Sequence, residues 1–278
     1  MASTGMVGRT LGDRMVLVAV IALAIVMVMP ILWALGLSIK TNAELMVDTS
    51  SVLHAPYTFA NYRDIVDGSP VFRWLLNSTI VSLGMTVGVL ILSSLAGYGF
   101  ARLDFPGRNA IFVLVLFGLA VPEQAVIIPR HQMFSALGLH NTYAGLMLPG
   151  MSTSFGVFLM TQYFKAIPKE IDEAAMLDNA SRFKVFWRVL LPMTLPAQAT
   201  LGIYTFLHAW NDYWWPLISG TNERMYTVTV GVAATQINFA ESAGLGFLMA
   251  QAIFAALPIL VVYLFFQKYI VRAVSGAA

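Results

Sequence analysis

EIDEAAMLDNASRFKVFWRVLLP, Glu170 to Pro192, is charged where the chain around it is greasy. Nine of the twenty-four residues from Lys165 to Arg188 carry charge, whereas the whole chain is 58% hydrophobic and only 11% charged. Pro168 suits a first helical turn, and Lys169 to Asp178 is a run of good helix formers. Glu170, Asp172 and Glu173 place negative charge near the positive end of that helix's dipole. Ile171, Ala174, Ala175 and Asp178 recur at i, i+3, i+4 and i+7, one stripe of mostly small residues. Asn179 and Ser181 then predict a turn, and RFKVFWRVLLP starts an amphipathic helix. Two readings fit these residues. One is an interfacial helix whose basic side chains meet anionic lipid. The other is a helix that docks into a groove of another protein, which small residues favour.

Outward from this segment lie charge-free windows at about 15–39, 74–101, 109–129 (with Glu123 as its one acid), 141–164, 189–211 and 242–267. Roughly 20 helical residues cross a ~30 Å hydrocarbon core, so the expectation is an all-α polytopic membrane protein with six spans. The windows do not alternate as the strands of a membrane barrel do. The first, preceded by Arg9 and Arg14, is longer than the apolar core of a cleaved signal and reads as a retained helix. With the N-terminus inside, inner segments hold eleven Lys and Arg residues and outer segments five. That asymmetry predicts both termini in the cytoplasm, with 1–14 and 273–278 as cytoplasmic ends, 15–272 as the transmembrane domain, and the charged loop 165–188 inside.

TFANYRDIVDGSP (residues 58–70) predicts a short outer helix ended by Gly68 and Pro70. The outer segment from Asp212 to Glu241 predicts an irregular loop, since Gly and Asn interrupt its β-branched residues. Pro30, Pro122, Pro129, Pro149, Pro192, Pro196 and Pro258 fall within the windows, where a membrane tolerates them if neighbours or a wet cavity satisfy the freed carbonyls. Gly84 with Gly88, and Gly97 with Ala101, are pairs that let helix backbones approach closely.

Much chemistry is excluded. There is no cysteine, no His-Glu-x-x-His, no Gly-x-Ser-x-Gly, and no lysine follows a glycine, so no Gly-Lys-Ser/Thr phosphate loop exists. A net charge of +2 does not suggest a nucleic-acid partner. Glu123 is the only acid within the windows, which gives an ion-coupled secondary transporter little to work with. The residues alone leave open a transporter subunit and a membrane-embedded scaffold or enzyme.

EAAMLDNASRFKVFWRVLLP resembles the Glu-Ala-Ala loop of binding-protein-dependent ABC importers. Glu173, Ala174 and Ala175 match, Asn179 stands where the family has Gly, and Leu191 and Pro192 close the motif at the right spacing. NYRDIV, LNSTIVS, AGYGFARLDFPGR, IPRHQMFSALGLHNTYAGLMLP and AWNDYWWPL are similar to the shorter six-span permease of the maltose, or carbohydrate-uptake, type. The chain ends in VSGAA where family members often carry Gly-Ala-Val-Lys-Gly. The resemblance implies a type I ABC importer permease in a bacterial inner membrane, not itself an enzyme and holding no cofactor. It further implies a second, longer permease subunit, two ATPase subunits holding ATP and Mg2+, and an extracytoplasmic solute-binding protein.

The implied coupling residues are Glu173, Ala174, Ala175, Asp178, Asn179, Leu191 and Pro192. For the translocation path the candidates are Ser152, Thr153, Ser154, Thr205, His208 and Asn211, each also suited to back-bonding or helix packing. Asn222, Glu223 and Arg224 are expected to contact the binding protein. The implied cargo is a di- or oligosaccharide, with a polyol, a glycerol phosphate or another modified sugar as alternatives.

Overall fold

The computed structural model describes residues 11–237 and 244–275, and every regular element among them is helical. In chain order these are α1 (Leu11–Ser38), α2 (Asn42–Val47), α3 (Ala60–Gly68), α4 (Val71–Arg102), α5 (Arg108–Phe117), α6 (Ile127–Ala136), α7 (Tyr143–Met151), α8 (Ser154–Ala166) and α9 (Lys169–Leu177). There follow α10 (Arg182–Val185), α11 (Leu191–Met193), α12 (Leu195–Asn211), α13 (Trp214–Ser219), α14 (Val228–Ile237) and α15 (Leu245–Ser275). Helix contacts divide the chain into two compact units, the described parts of 1–69 with 235–254, and of 70–234 with 255–278.

In the first unit the apolar side chains of α1 are exposed along its hydrophobic window, and only near its C-terminal end does Leu37 turn in to pack with Leu45 and Val52. An apolar helix exposed all round is a lipid-facing or partner-facing element. The chain beyond it is held by polar bonds. Lys40 is almost fully buried, donates to the carbonyls of His54 and Pro56 (2.8 Å to the latter), and lies over the Tyr57 ring. Asn61, on α3, donates to the carbonyls of Ser38 and Lys40 at 2.9 and 2.8 Å. The predicted short helix is α3, and it ends at Gly68 as its sequence implies.

The second unit is built around α4. This helix has 32 residues and no interior proline, about 48 Å of continuous rod. Gly97 lets α8 lie directly against it: a Cβ there would sit 2.7 Å from the Cβ of Met160 and 2.9 Å from backbone. Gly84 and Gly88 instead make room for the side chains of Met147 and Met151 on α7. Val89 on α4, Met160 and Phe164 on α8, and Ala197 and Leu201 on α12 meet in one core with Val185, Phe186 and Leu190.

The six charge-free windows do not become six straight helices. Among the described residues α1, α4 and α15 are long and apolar enough to cross a membrane. The fourth and fifth windows are bent pairs, α7 with α8 at 47° and the Arg182–Met193 segment with α12 at 74°. In the third window α5 ends at Phe117, and the chain passes through turns and an extended Pro122 before α6 begins. Proline lacks an N–H and disfavours the helical region for the residue before it, which keeps the chain extended at Pro122, whereas α1 and α15 run on through Pro30 and Pro258.

In the fifth window Pro192 and Pro196 remove two backbone donors. The chain loosens into a π-turn over Phe186–Leu190, and Gln198 donates to the Leu191 carbonyl at 2.8 Å. The outer segment after Asp212 is also more regular than expected. Instead of an irregular loop it forms α13, a 3-10 turn at Glu223–Met225 and α14; residues 238–241 lie outside the described part. Ser78 accepts the Val228 N–H at 2.8 Å and so caps α14 from another helix, a tertiary bond that local breakers do not reveal.

Candidate functional site

The charged loop folds as its sequence predicts into a helix, α9, which starts after Pro168 and ends at Leu177. Its end is a Schellman arrangement. Asn179 is left-handed at φ 58°, its N–H reaches the Met176 carbonyl at 3.0 Å, and the Ala180 N–H reaches the Ala175 carbonyl at 3.1 Å. Ser181 then caps α10 by accepting the Lys184 N–H.

The two sides of α9 differ in chemistry. Ile171 and Ala175 pack inward against the core that holds Phe164, Val185 and Phe186. Asp172, also inward, forms an ion pair with Arg102 at 2.5 Å, with side chains only 9% and 5% exposed. Arg102 donates as well to the Ile167 carbonyl at 2.6 Å, so the last residue of α4 grips both the start of the loop and its helix. Burial pushes the Asp172 carboxyl above its ordinary value, and the Arg102 charge offsets this only in part.

On the opposite side Glu173, Ala174, Asp178 and Asn179 are exposed, together with Met176 and Leu177, the latter at 85%. Phe183 and Trp187 add apolar surface beside them. The stripe of small residues is therefore divided, with Ala175 turned inward and Ala174 outward. Leu191 packs against the core, whereas Pro192 is exposed. The Arg102–Asp172 pair was not marked by any sequence motif, because its members are seventy residues apart.

Five of the candidate path residues come together. Ser152, Thr153, Ser154, Thr205 and His208 line one cavity of about 390 Å³. Asn211 lines a second, of about 500 Å³, and the two share Glu123, Arg130, Tyr204, His208, Asp212 and Trp215. The helix breaks create this lining. Ser152 and Thr153 are extended between α7 and α8, and the broken third window delivers Glu123. Arg130 donates to Glu123 at 3.2 Å and lies over the Trp215 ring, and His208 stands 3.9 Å from the same carboxylate. Asn211 donates to its own helix at the Leu207 carbonyl, the back-bonding that its sequence allowed. Tyr204, Asp212 and Trp215 escaped the sequence reading because nothing local shows that α12 and α13 share a cavity.

Asn222, Glu223 and Arg224 are exposed on a turn whose backbone is tied down. The Asn222 N–H donates to the Asn141 side chain at 2.8 Å. The Arg224 carbonyl accepts from Arg73 at 3.1 Å and from Asn77 at 3.0 Å, and Asn77 donates also to the Tyr226 carbonyl at 2.8 Å. Among the described residues no group of three or more His, Cys, Asp or Glu side chains is placed to hold a metal ion.

A family model described as the binding-protein-dependent transport system inner membrane component matches residues 89–276, which include α9 and all of the cavity lining but Met85. The chain belongs to that family. This inner membrane component is 32% identical to the arabinooligosaccharides transport system permease protein AraQ of Bacillus subtilis, over 91% of its own length and 90% of the relative's. It is 31% identical to the diacetylchitobiose uptake system permease protein NgcG of Streptomyces coelicolor, over 91% and 84%. It is 30% identical to the sn-glycerol-3-phosphate transport system permease protein UgpE of Brucella abortus, over 89% and 90%.

Among solved structures, its fold is that of a chain in a bacterial ABC transporter involved in the import of the acidic polysaccharide alginate. The TM-score is 0.79 at 21% identity, covering 94% of the inner membrane component and 98% of the other chain. The inner membrane component thus has the all-helical fold of an ABC permease.

Proposed function

We propose that this chain is the shorter of two permease subunits in an ATP-driven importer of a sugar or sugar derivative, with its termini and α9 on the cytoplasmic side. The observation that carries the reading is the two-sidedness of α9. Its inner side is fixed to the chain's own core, and its outer side presents Glu173, Ala174, Met176, Leu177 and Asp178 for an ATPase subunit. A purely lipid-facing helix would turn apolar residues together toward the bilayer and leave acid elsewhere. Here acid and apolar side chains are interleaved on the free surface, which suits a protein groove.

Transport proceeds by alternating access. Loaded binding protein and ATP each favour one arrangement of the spans, and their differential affinity shifts the population. ATP and Mg2+ belong to the ATPase subunits, and Asn222, Glu223 and Arg224 meet the binding protein from outside. Within the cavity, hydroxyls of Ser152, Thr153, Ser154 and Thr205 offer hydrogen bonds to a polyhydroxylated cargo, while Tyr204 and Trp215 offer flat apolar faces. The sugar assignment is supported by the relatives that carry arabinooligosaccharides and diacetylchitobiose. A glycerol phosphate, as handled by another relative, is the alternative cargo.

The test is reconstitution of the complete assembly with Glu173→Lys. A charge-assisted bond to a basic partner side chain is lost and like charges meet, so uptake should fail while the two permeases still assemble. Normal uptake would overturn the coupling role. A ligand screen on the cognate binding protein then decides between a neutral sugar and a phosphorylated one.

A further inference from the structure

Both ends of α4 hold a segment that the proposed function assigns to a partner. Near its outer end the carbonyls of Arg224 and Tyr226 are held by Asn77, a fully buried side chain whose own oxygen accepts the Tyr143 hydroxyl at 2.7 Å. One residue on, buried Ser78 accepts the Val228 N–H. At its inner end Arg102 holds Asp172 and the Ile167 carbonyl. Between Asn77 and Arg102 there are about 37 Å of helix with no proline and no break. Every other membrane-crossing candidate in this unit that is complete within it is bent.

We propose that α4 is the rod through which the outer turn 222–228 and the coupling helix α9 sense each other, with Asn77, Ser78 and Arg102 as its positioning residues. The proposal rests on the assignment of those two segments to the binding protein and the ATPase. A bent helix absorbs a displacement at its bend, whereas an unbroken one carries it from end to end. The bonds at both ends go to backbone or to a buried ion pair rather than to mobile surface groups, so a shift of the turn must move α4 or break them. The inner bond has the character of a positioning device. Burial disfavours the ionised Asp172, and a buried ion pair is a weak source of stability, so what the pair supplies is a fixed place for α9.

A double-mutant cycle on the reconstituted assembly tests this, with Ser78→Ala at one end and Arg102→Gln at the other. The readout is the ratio of ATPase activity with loaded binding protein to activity without it, normalised to assembled complex. Each single variant should lower the ratio by roughly two- to thirtyfold, the range for residues that modulate coupling. The double variant should fall little further than the worse single one, because both substitutions loosen the same helix. Ser78→Thr, which keeps the hydroxyl, should restore the ratio. If Arg102→Gln does not assemble, the isosteric Asp172→Asn takes its place in the cycle.

Multiplicative losses in the double variant, or an unchanged ratio in either single one, would overturn the proposal. The outcome is separable from the parent reading. Glu173→Lys uncoupling uptake while the cycle is multiplicative removes only α4's role, whereas normal uptake by Glu173→Lys removes the docking assignment itself.

Discussion

Asn179 sits in the left-handed region at φ 58°, which glycine adopts without strain. Asparagine tolerates that region because its short polar side chain bonds locally, while a β-branched residue there costs roughly 1–2 kcal/mol or more. Asn179→Gly should leave uptake intact. Asn179→Val should tilt α9 and lower uptake with the protein still inserted; uptake equal to the natural chain would show that the turn does not set the helix's direction.

Asp172 gives a pH dependence with a definite sign. Its folded-state pKa lies above the ordinary carboxylate value, chiefly through burial. The stability it contributes is thus fully present below about pH 4 and is lost as pH rises through the folded value. The thermal midpoint of the natural chain relative to Asp172→Asn, measured in detergent, should decline from acid toward neutral pH. A difference that grows with pH would mean the Arg102 attraction outweighs desolvation. What the sequence could show here was the 3.6-residue stripe of α9. Which stripe turns inward depended on Arg102, and nothing in the spacing of Glu-Ala-Ala reports a partner at the end of another helix.

At the level of elements, α4 and α9 were legible for physical reasons. One is a long window without charge or proline, and the other is a run of helix formers opened by Pro168. The bends were only half legible. Prolines marked where donors would be missing, but whether a helix kinks or stops depends on what replaces them. Beside Thr194 Gln198 donates to the Leu191 carbonyl, α1 runs on through Pro30, and α5 has ended at Phe117 before Pro122 is reached.

Close packing is likewise a matter of neighbours. Gly97→Leu should push α8 off α4, since the new side chain has backbone within 2.9 Å of its Cβ. Overpacking of this kind costs about 1–3 kcal/mol and sometimes more. Gly99, two residues on, has open space at its Cβ, and Gly99→Leu should be tolerated. Equal yields and thermal midpoints for the two variants would refute the close-approach account.

Across the whole molecule, the absence of cysteine makes sidedness directly measurable. Single cysteines placed at the exposed positions Ser181 and Thr221 should react with a membrane-impermeant thiol reagent from opposite faces, Ser181 from the cytoplasm and Thr221 from outside. Labelling of Ser181 from outside would place α9 beyond the reach of any ATPase.

The division of α9 into a fixed side and a free side has a consequence for how such assemblies diversify. Ile171, Asp172 and Ala175 answer to this chain's own interior, so changes there disturb folding or placement. Glu173, Ala174, Met176, Leu177 and Asp178 answer to no neighbour in the chain's core, and drift among them leaves the scaffold untouched. If α9 docks as proposed, compatibility with a particular motor subunit is written in a handful of surface side chains. On that docking, a permease of this design would acquire a new motor, or share one with a sister importer, without having to refold around it.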